Sequence, residues 1–206
     1  HISNFTDFEP LVADKEIELV FISNASDIAT CQVLVLPGSK RVVDDLLWLR
    51  ERGFEKILSS KKQKILAICG CYEMMFERIL DPDAVESEFK EIFGFGRIKG
   101  EVVFAKEKTL KKGCYYLFGS MIDGYEIHNG VAKKRVIKKK NLYATFVHGI
   151  FENDEFRYRL FCKIDKTYEG YNFKEYKEKA IKEFAGHIDK YVDMDFIQKA
   201  RTIQTI

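Results

Sequence analysis

The sequence predicts an α/β protein: a mostly parallel central sheet with helices on both faces, added antiparallel hairpins and a C-terminal helical segment. Two observations support this fold class. Between residues 32 and 68, apolar strands alternate with amphipathic helical stretches in short periods, which is typical of parallel β-α-β units. After Asp81-Pro82 the pattern changes to short β-type segments separated by glycines and charges, as in hairpins.

The first half of the chain supplies the parallel part of this fold. Short apolar runs bounded by Gly, Pro, Asn and Ser predict strands, and apolar residues spaced three and four apart predict amphipathic helices. Pro37-Gly38 ends the second run, and Gly53 ends the helix that follows it. The predicted elements are strands at residues 17–22, 32–36 and 64–68 and helices at residues 39–53, 54–58 and 72–78.

The second half predicts the hairpins, a last strand and the helical end. We expect the hairpins to extend the parallel sheet. His148-Gly149 stands at the end of the last strand, and from Asn153 onward apolar residues recur at helical spacing. The predicted strands are at residues 93–96, 98–104, 114–117, 124–128, 135–137 and 142–147.

Composition limits the classes of function. With 206 residues and 46% apolar content, the chain can form one core, which predicts a single domain over residues 1–206. The net charge of +2 is too balanced for a nucleic-acid or membrane-surface partner. The five cysteines have no CxxC or metal-ligand spacing, and no apolar run approaches a membrane span. We therefore expect a reduced, cytoplasmic protein with no metal site.

Residues 65–73 predict a strand, a sharp turn and the start of a helix, with Cys69 at the turn. Such a turn lifts a nucleophile clear of the sheet edge and aims the next backbone N–H, here that of Gly70, at a developing oxyanion. The alternative is a buried cysteine at an ordinary turn, since free cysteine is often buried.

His148 is the best candidate for a base that serves Cys69. His1 is terminal, and His187 lies on a helix that we expect to be solvated, which leaves His128 and His148. The carboxyl ends of parallel strands meet at one edge of the sheet, where Cys69 and His148 would both project. The alternative is a strand-end histidine bonded to backbone carbonyls.

Several short motifs occur in a fixed order along the whole chain. They are HISNFTDF (1–8), VLPGSK (35–40), DLLWLR (45–50), the turn around Cys69, Asp81-Pro82, GYEIH (124–128), HGIF (148–151), KEY (174–176) and DMD (193–195). Together they resemble the glutamine amidotransferase portion of the cobyric acid synthase family. An ATP-dependent synthase domain precedes that portion in the family, and this chain starts at His1 inside a patterned segment. The resemblance therefore implies a fragment or a separate subunit.

The resemblance implies a flavodoxin-like class I amidotransferase fold. The implied activity releases ammonia from glutamine for ATP-dependent amidation of corrin-ring carboxylates in cobalamin biosynthesis, with Cys69 similar to the nucleophile and His148 to its base. It implies no cofactor for this domain, because ATP and magnesium belong to the synthase domain that carries the corrinoid. The implied oxyanion and glutamine-binding residues are Gly38, Ser39, Gly70, Tyr72 and Glu73, and the signature residues Tyr125, Glu126 and His128 line either the corrinoid side or a structural hairpin.

The turn departs from the family pattern at three positions. The family has glycine two residues before and after the cysteine and glutamine four after it, whereas this chain has Ala67, Cys71 and Glu73. Residues other than glycine are strained at positive φ, and a carboxylate at position 73 opposes thiolate formation. The acid that many class I domains carry two positions after the catalytic histidine is also missing after His148.

These departures leave a second function class open, a degenerate, non-catalytic domain that serves as a docking or regulatory partner. Glutamate release would separate it from a working amidotransferase. A redox pair of Cys69 and Cys71 is disfavoured, because Cys-x-Cys spacing on a tight turn strains a disulfide.

Overall fold

The computed structural model describes residues 3–28, 31–60 and 63–192, so the turn expected at residues 193–195 lies outside the described part. The chain divides into two compact units, His1–Gly170 and Tyr171–Ile206. The described helices are α1 (Glu9–Val12), α2 (Val42–Glu51), α3 (Phe54–Ser59), α4 (Gly70–Glu73), α5 (Asp154–Phe161) and α6 (Phe173–Tyr191). The described strands are β1 (Val33–Leu36), β2 (Lys64–Ile68), β3 (Phe76–Leu80), β4 (Glu91–Phe93), β5 (Ile98–Leu117), β6 (Ser120–Ala132), β7 (Val136–Lys139) and β8 (Leu142–Thr145).

The first sheet has the strand order β1-β2-β8-β7. Strands β1, β2 and β8 are parallel, and β7 runs antiparallel to β8. Strand β8 is buried throughout and β2 is buried from Ile65 onward, as expected for near-continuous apolar runs inside a parallel sheet. Because Ile68 pairs with Thr145, the carboxyl ends of β2 and β8 lie side by side.

The second sheet has the order β4-β3-β5-β6 and is dominated by the long antiparallel hairpin of β5 and β6. The α/β class is confirmed. Of the predicted hairpin segments, β7 extends the first sheet through its antiparallel pairing with β8, as expected. The others do not extend it: β4 and β5 pair with β3, β6 pairs with β5, and together they form a sheet of their own. An isolated bridge between Tyr125 and His148 links β6 to the segment that follows β8. This bridge brings β6 against the edge where β2 and β8 end.

Two predicted elements are wrong, while β1, β2, β8, α2 and α3 confirm the pattern of the parallel half. Residues 17–22 lie in no strand and instead form part of the wall of a cavity of about 880 Å³ beside β1. The helix expected over residues 72–78 stops at Glu73, and β3 starts at Phe76 because that segment pairs with β4 and β5. Tertiary pairing overrides local helix propensity there.

Candidate active site

Cys69 follows β2 directly and precedes the first residue of α4. Its backbone has φ 50° and ψ −114°, a region that L-residues rarely adopt and that costs about 1–3 kcal/mol. Cys69 N–H still donates to Thr145 O at 2.8 Å, so the strained residue is fixed against the end of β8. A strained strand-to-helix turn of this kind is able to hold a nucleophile at a sheet edge.

The small residues around the turn accommodate its close packing. A Cβ on Gly70 would lie 2.8 Å from the Ser39 carbonyl oxygen, so only glycine fits there without movement of the segment after β1. Among the described non-glycine residues, positive φ occurs at Cys69, Ala84, Phe118 and Lys140. Ala67 and Cys71 therefore have ordinary backbone conformations, and their departure from glycine causes no positive-φ strain.

His148 is held by a carboxylate that the sequence analysis missed. Its Nδ1 lies 2.7 Å from Asp7 Oδ2, and the next backbone N–H, that of Gly149, donates to Asp7 Oδ1 at 2.8 Å. Asp7 is 2% exposed. Since a carboxylate only accepts, Nδ1 carries the proton and Nε2 is left to act as a base. Asp7 lies within the HISNFTDF motif at residues 1–8, and membership in this motif is the one feature of the sequence that points to it.

The other edge of the His148 ring faces Gly38, at the end of the segment that follows β1. A Cβ on Gly38 would lie 2.7 Å from His148 Cε1 and 3.4 Å from Nε2, so a side chain at position 38 would push the ring away. Ser3 N–H and Ser3 Oγ both donate to Gly38 O, at 3.1 and 2.8 Å. The Gly38 backbone is thus fixed beside the basic nitrogen.

Two predicted glutamine-binding side chains have other partners. Ser39 Oγ donates to Asp45 Oδ2 at 2.5 Å, so the hydroxyl has a partner other than the substrate. The Ser39 backbone packs against Gly70. Tyr72 is fully buried, its hydroxyl donates to Lys134 O, and its ring packs edge-on against Phe146. The structure places the Tyr72 side chain in the core, and an oxyanion or glutamine-binding role for this residue stays a prediction.

Glu73 is also buried, with 2% of its surface exposed. Its Oε1 accepts from Gly130 N–H at 3.2 Å. Burial and then the nearby Glu86 carboxyl raise the pKa of Glu73 well above the ordinary value of 4.5, against smaller lowering effects of the Gly130 N–H and Lys108. A neutral carboxyl at this position resembles the glutamine of the family pattern more closely than a carboxylate does.

The Cys69 thiol is protonated in the resting site. Burial raises its pKa well above 9.0, Glu73 raises the pKa further, and the Gly70 N–H lowers it. Its Sγ donates to Ile127 O at 3.5 Å. The neighbouring Cys71 is also buried, which raises its pKa to about 12, and both cysteines are free.

The three signature residues of β6 divide into two groups. Glu126 and His128 are buried and bonded to each other at 3.0 Å, and the His128 ring stacks on Phe146. Their side chains belong to the interior, which favours the structural alternative over a corrinoid-facing one. Tyr125, in contrast, stacks on the His148 ring with centroids 5.1 Å apart.

Cys69 lies on a strained strand-to-helix turn, and a histidine held by a carboxylate follows the neighbouring strand. This arrangement is typical of α/β enzymes that break amide bonds through a cysteine nucleophile. Residues 1–156 match the CobB/CobQ-like glutamine amidotransferase domain, and the chain belongs to that family.

Among curated relatives, the chain is 38% identical over 203 residues to a cobyric acid synthase of Acinetobacter baylyi, covering 97% of this chain and 44% of that protein. The cobyric acid synthases of Clostridium perfringens and Listeria monocytogenes are 33% and 32% identical, covering 96% of this chain and 46% and 45% of theirs. The chain thus spans less than half the length of these relatives.

A crystal structure of a glutamine amidotransferase matches with a TM-score of 0.61 and 14% identity, covering 79% of this chain and 94% of that one. At this identity the likeness concerns the fold alone. Within the described residues, no helix has the length and apolar character that crossing a membrane requires.

Proposed function

We propose that this chain is the glutaminase part of a cobyric acid synthase. It hydrolyses glutamine and supplies ammonia for the ATP-dependent amidation of corrin-ring carboxylates in cobalamin biosynthesis. The observation that supports this most strongly is the placement of Cys69 and the Asp7-bound His148 at the adjoining ends of β2 and β8. The matched relatives carry the name cobyric acid synthase.

In the acylation step, Cys69 Sγ attacks the side-chain carbonyl carbon of glutamine. The thiol proton moves to His148 Nε2 as the C–S bond forms, so a free thiolate never has to accumulate in a site that disfavours it. The Gly70 N–H and a backbone N–H near Gly38 stabilise the oxyanion. His148 then gives the proton to the leaving nitrogen, ammonia departs, and a thioester remains.

In the deacylation step, water attacks the thioester carbonyl. His148 Nε2 takes a proton from the water, and the tetrahedral intermediate collapses with cleavage of the C–S bond. The proton returns to the sulfur and glutamate is released. Asp7 keeps Nδ1 protonated through both steps, so that Nε2 carries every transfer.

The synthase domain is the partner in this proposal, either on the same polypeptide or as a separate subunit, in the cytoplasm. It carries ATP, magnesium and the corrinoid. This chain contains no G-x-x-x-x-G-K loop to cradle phosphates with backbone N–H groups. We expect the chain alone neither to bind nor to hydrolyse ATP, and isothermal calorimetry that shows micromolar ATP binding would contradict this division of labour.

A second candidate function is a non-catalytic docking or regulatory domain. The raised pKa of Cys69 favours it, because burial and the Glu73 carboxyl, once ionised, both oppose the reactive thiolate. Under this alternative, the site keeps its geometry without turning over glutamine.

Steady-state glutamate release separates the two candidates. The wild-type chain should release glutamate from glutamine, alone or with the synthase portion of the Acinetobacter baylyi relative, and Cys69→Ala should abolish release. Cys114→Ala serves as the matched control, since Cys114 is an exposed free cysteine on β5. If the wild-type chain releases no glutamate under either condition, the docking alternative replaces the enzyme.

A further inference from the structure

The segment Ser3–Asp7 contacts three separate parts of the candidate site. Ser3 binds the Gly38 carbonyl, and Asp7 binds His148. Between them, Asn4 Nδ2 donates to Tyr125 Oη at 2.6 Å. The segment therefore joins the end of β1, strand β6 and the turn after β8, none of which is its neighbour in the sequence.

Tyr125 holds His148 in two ways. Its backbone pairs with His148 in both directions, with His148 N–H donating to Tyr125 O at 2.8 Å and Tyr125 N–H to His148 O at 3.3 Å. Its ring lies nearly parallel to the imidazole, at an interplanar angle of 15°. Gly124, immediately before it, allows this approach, because a Cβ there would lie 2.4 Å from His148 O.

The orientation of the Asn4 amide is fixed by its second partner. Thr6 Oγ1 donates to Asn4 Oδ1 at 2.6 Å, so Nδ2 is the atom that faces the Tyr125 hydroxyl. Asn4 is three residues from Asp7 on the same tight turn, so a shift of Asn4 would move the carboxylate that orients His148. Burial, followed by the Asp7 charge, raises the pKa of Tyr125, so its hydroxyl stays protonated and neutral at physiological pH.

We propose that Tyr125 is a positioning residue for the glutaminase reaction: its ring fixes the plane of the His148 imidazole, and its hydroxyl, bound by Asn4, fixes Asp7 against Nδ1. This inference rests on the proposed function. It gives one member of the β6 signature a role that is neither corrinoid binding nor core packing. The role also accounts for a tyrosine at position 125, since its ring contacts His148 and its hydroxyl contacts Asn4 of the N-terminal segment.

The kinetic test is a double-mutant cycle on glutamate release. Tyr125→Phe and Asn4→Ala both remove the bond between Asn4 and Tyr125, so each should lower kcat about five- to tenfold with KM unchanged. Because this bond is shared, the double variant should lose clearly less than the product of the two single losses. In an Asp7→Asn background, Tyr125→Phe should have no further effect. Tyr116→Phe, on the exposed face of the same hairpin, is the matched control and should keep wild-type kcat.

A spectroscopic test does not depend on turnover. The proton in the His148 Nδ1–H···Asp7 bond should give a far-downfield proton resonance in the wild-type chain, absent in Asp7→Asn. Tyr125→Phe and Asn4→Ala should broaden or shift it, and Tyr116→Phe should not.

The two tests distinguish the possible failures. An unchanged resonance together with unchanged or additive kcat effects overturns the positioning role. If the wild-type chain releases glutamate and Tyr125→Phe has the same kcat as wild type, the positioning role is overturned as well. A wild-type chain that releases no glutamate refutes the proposed function, while the resonance still decides the role of Tyr125.

Discussion

The two halves of the candidate site differ in their electrostatics. On the side of the base, His148 has a carboxylate on Nδ1, a backbone bridge to Tyr125 and an aromatic ring on its face, all of which stabilise one orientation. On the side of the nucleophile, burial and Glu73 both oppose the charged form of Cys69. Under the proposed mechanism, the base is therefore preorganised, whereas the thiolate forms only as its proton moves to His148 during attack.

Removing the Asp7 carboxylate, which contacts the proposed base His148, should have the largest effect on kcat/KM. Asp7→Asn keeps the volume but lets the amide stabilise the wrong tautomer of His148, so we expect kcat/KM to fall on the order of a thousandfold. Glutamate release over pH 6 to 9 measures this. Glu9→Gln, on an exposed acid of the same segment, is the control, and a loss below about threefold in Asp7→Asn would show that the base needs no carboxylate.

Displacing β6 from the base should have the next largest effect. Gly124→Ala places a Cβ 2.4 Å from His148 O, so we expect a loss of roughly 1–3 kcal/mol in the free energy of unfolding and a lower kcat. Gly113→Ala is the matched control, because Gly113 pairs with Gly124 across the hairpin and a Cβ there would meet only the Tyr115 side chain, at an ordinary contact distance of 4.0 Å. Denaturant unfolding measures both, and equal effects of the two variants would contradict the close approach of β6.

Replacing Glu73, the carboxyl on the side of the nucleophile, by a neutral residue should have the smallest effect on glutamine turnover. The size of this effect should depend on pH. Since the pKa of Glu73 is raised, the carboxyl is neutral at low pH and ionises as pH rises through that raised value. Glu73→Gln should therefore raise turnover by less than about threefold at pH 6 and by about tenfold at pH 9, since one pKa unit of the thiol changes its thiolate fraction tenfold. A raised KM with unchanged kcat would instead mean that Glu73 holds the substrate.

The same raised pKa predicts a stability difference. The folded state binds the Glu73 proton more tightly than the unfolded chain, so this stability is full below pH 4.5 and is lost as pH rises through the folded-state pKa. Glu73→Gln should therefore gain in melting temperature over wild type as pH rises from 5 to 8. A constant difference between the two proteins over that range would contradict the buried neutral carboxyl.

The sequence could predict the side of the nucleophile better than the side of the base. Cys69 and His148 both follow apolar strands, and parallel strands bring their carboxyl ends together, so local pattern was enough to pair them. Asp7 is 141 positions from His148 in the chain, and no local pattern connects them. The sequence shows that the acid two residues after the histidine is missing, but not that Asp7 provides a carboxylate for His148 instead.

The missed elements have the same physical cause. Strand β3 follows the turn after a single helical turn because it pairs with β5, a partner that begins at Ile98. The burial of Glu73 depends on Gly130 of β6, since a Cβ there would lie 2.2 Å from its Oε1. Neither contact is visible in the residues around Cys69, so the sequence indicated a longer helix and gave no sign that Glu73 is buried.

The most direct test of the central claim is covalent trapping of the nucleophile. A diazo-ketone analogue of glutamine, followed by peptide mass spectrometry, should modify Cys69 in the wild-type chain, more slowly in Asp7→Asn, and leave the buried Cys71 untouched. If Cys69 reacts only with glutamine-like electrophiles, and free glutamine blocks the reaction, Cys69 is the nucleophile that attacks glutamine. Labelling of Cys71 or Cys114 with Cys69 unmodified would contradict it.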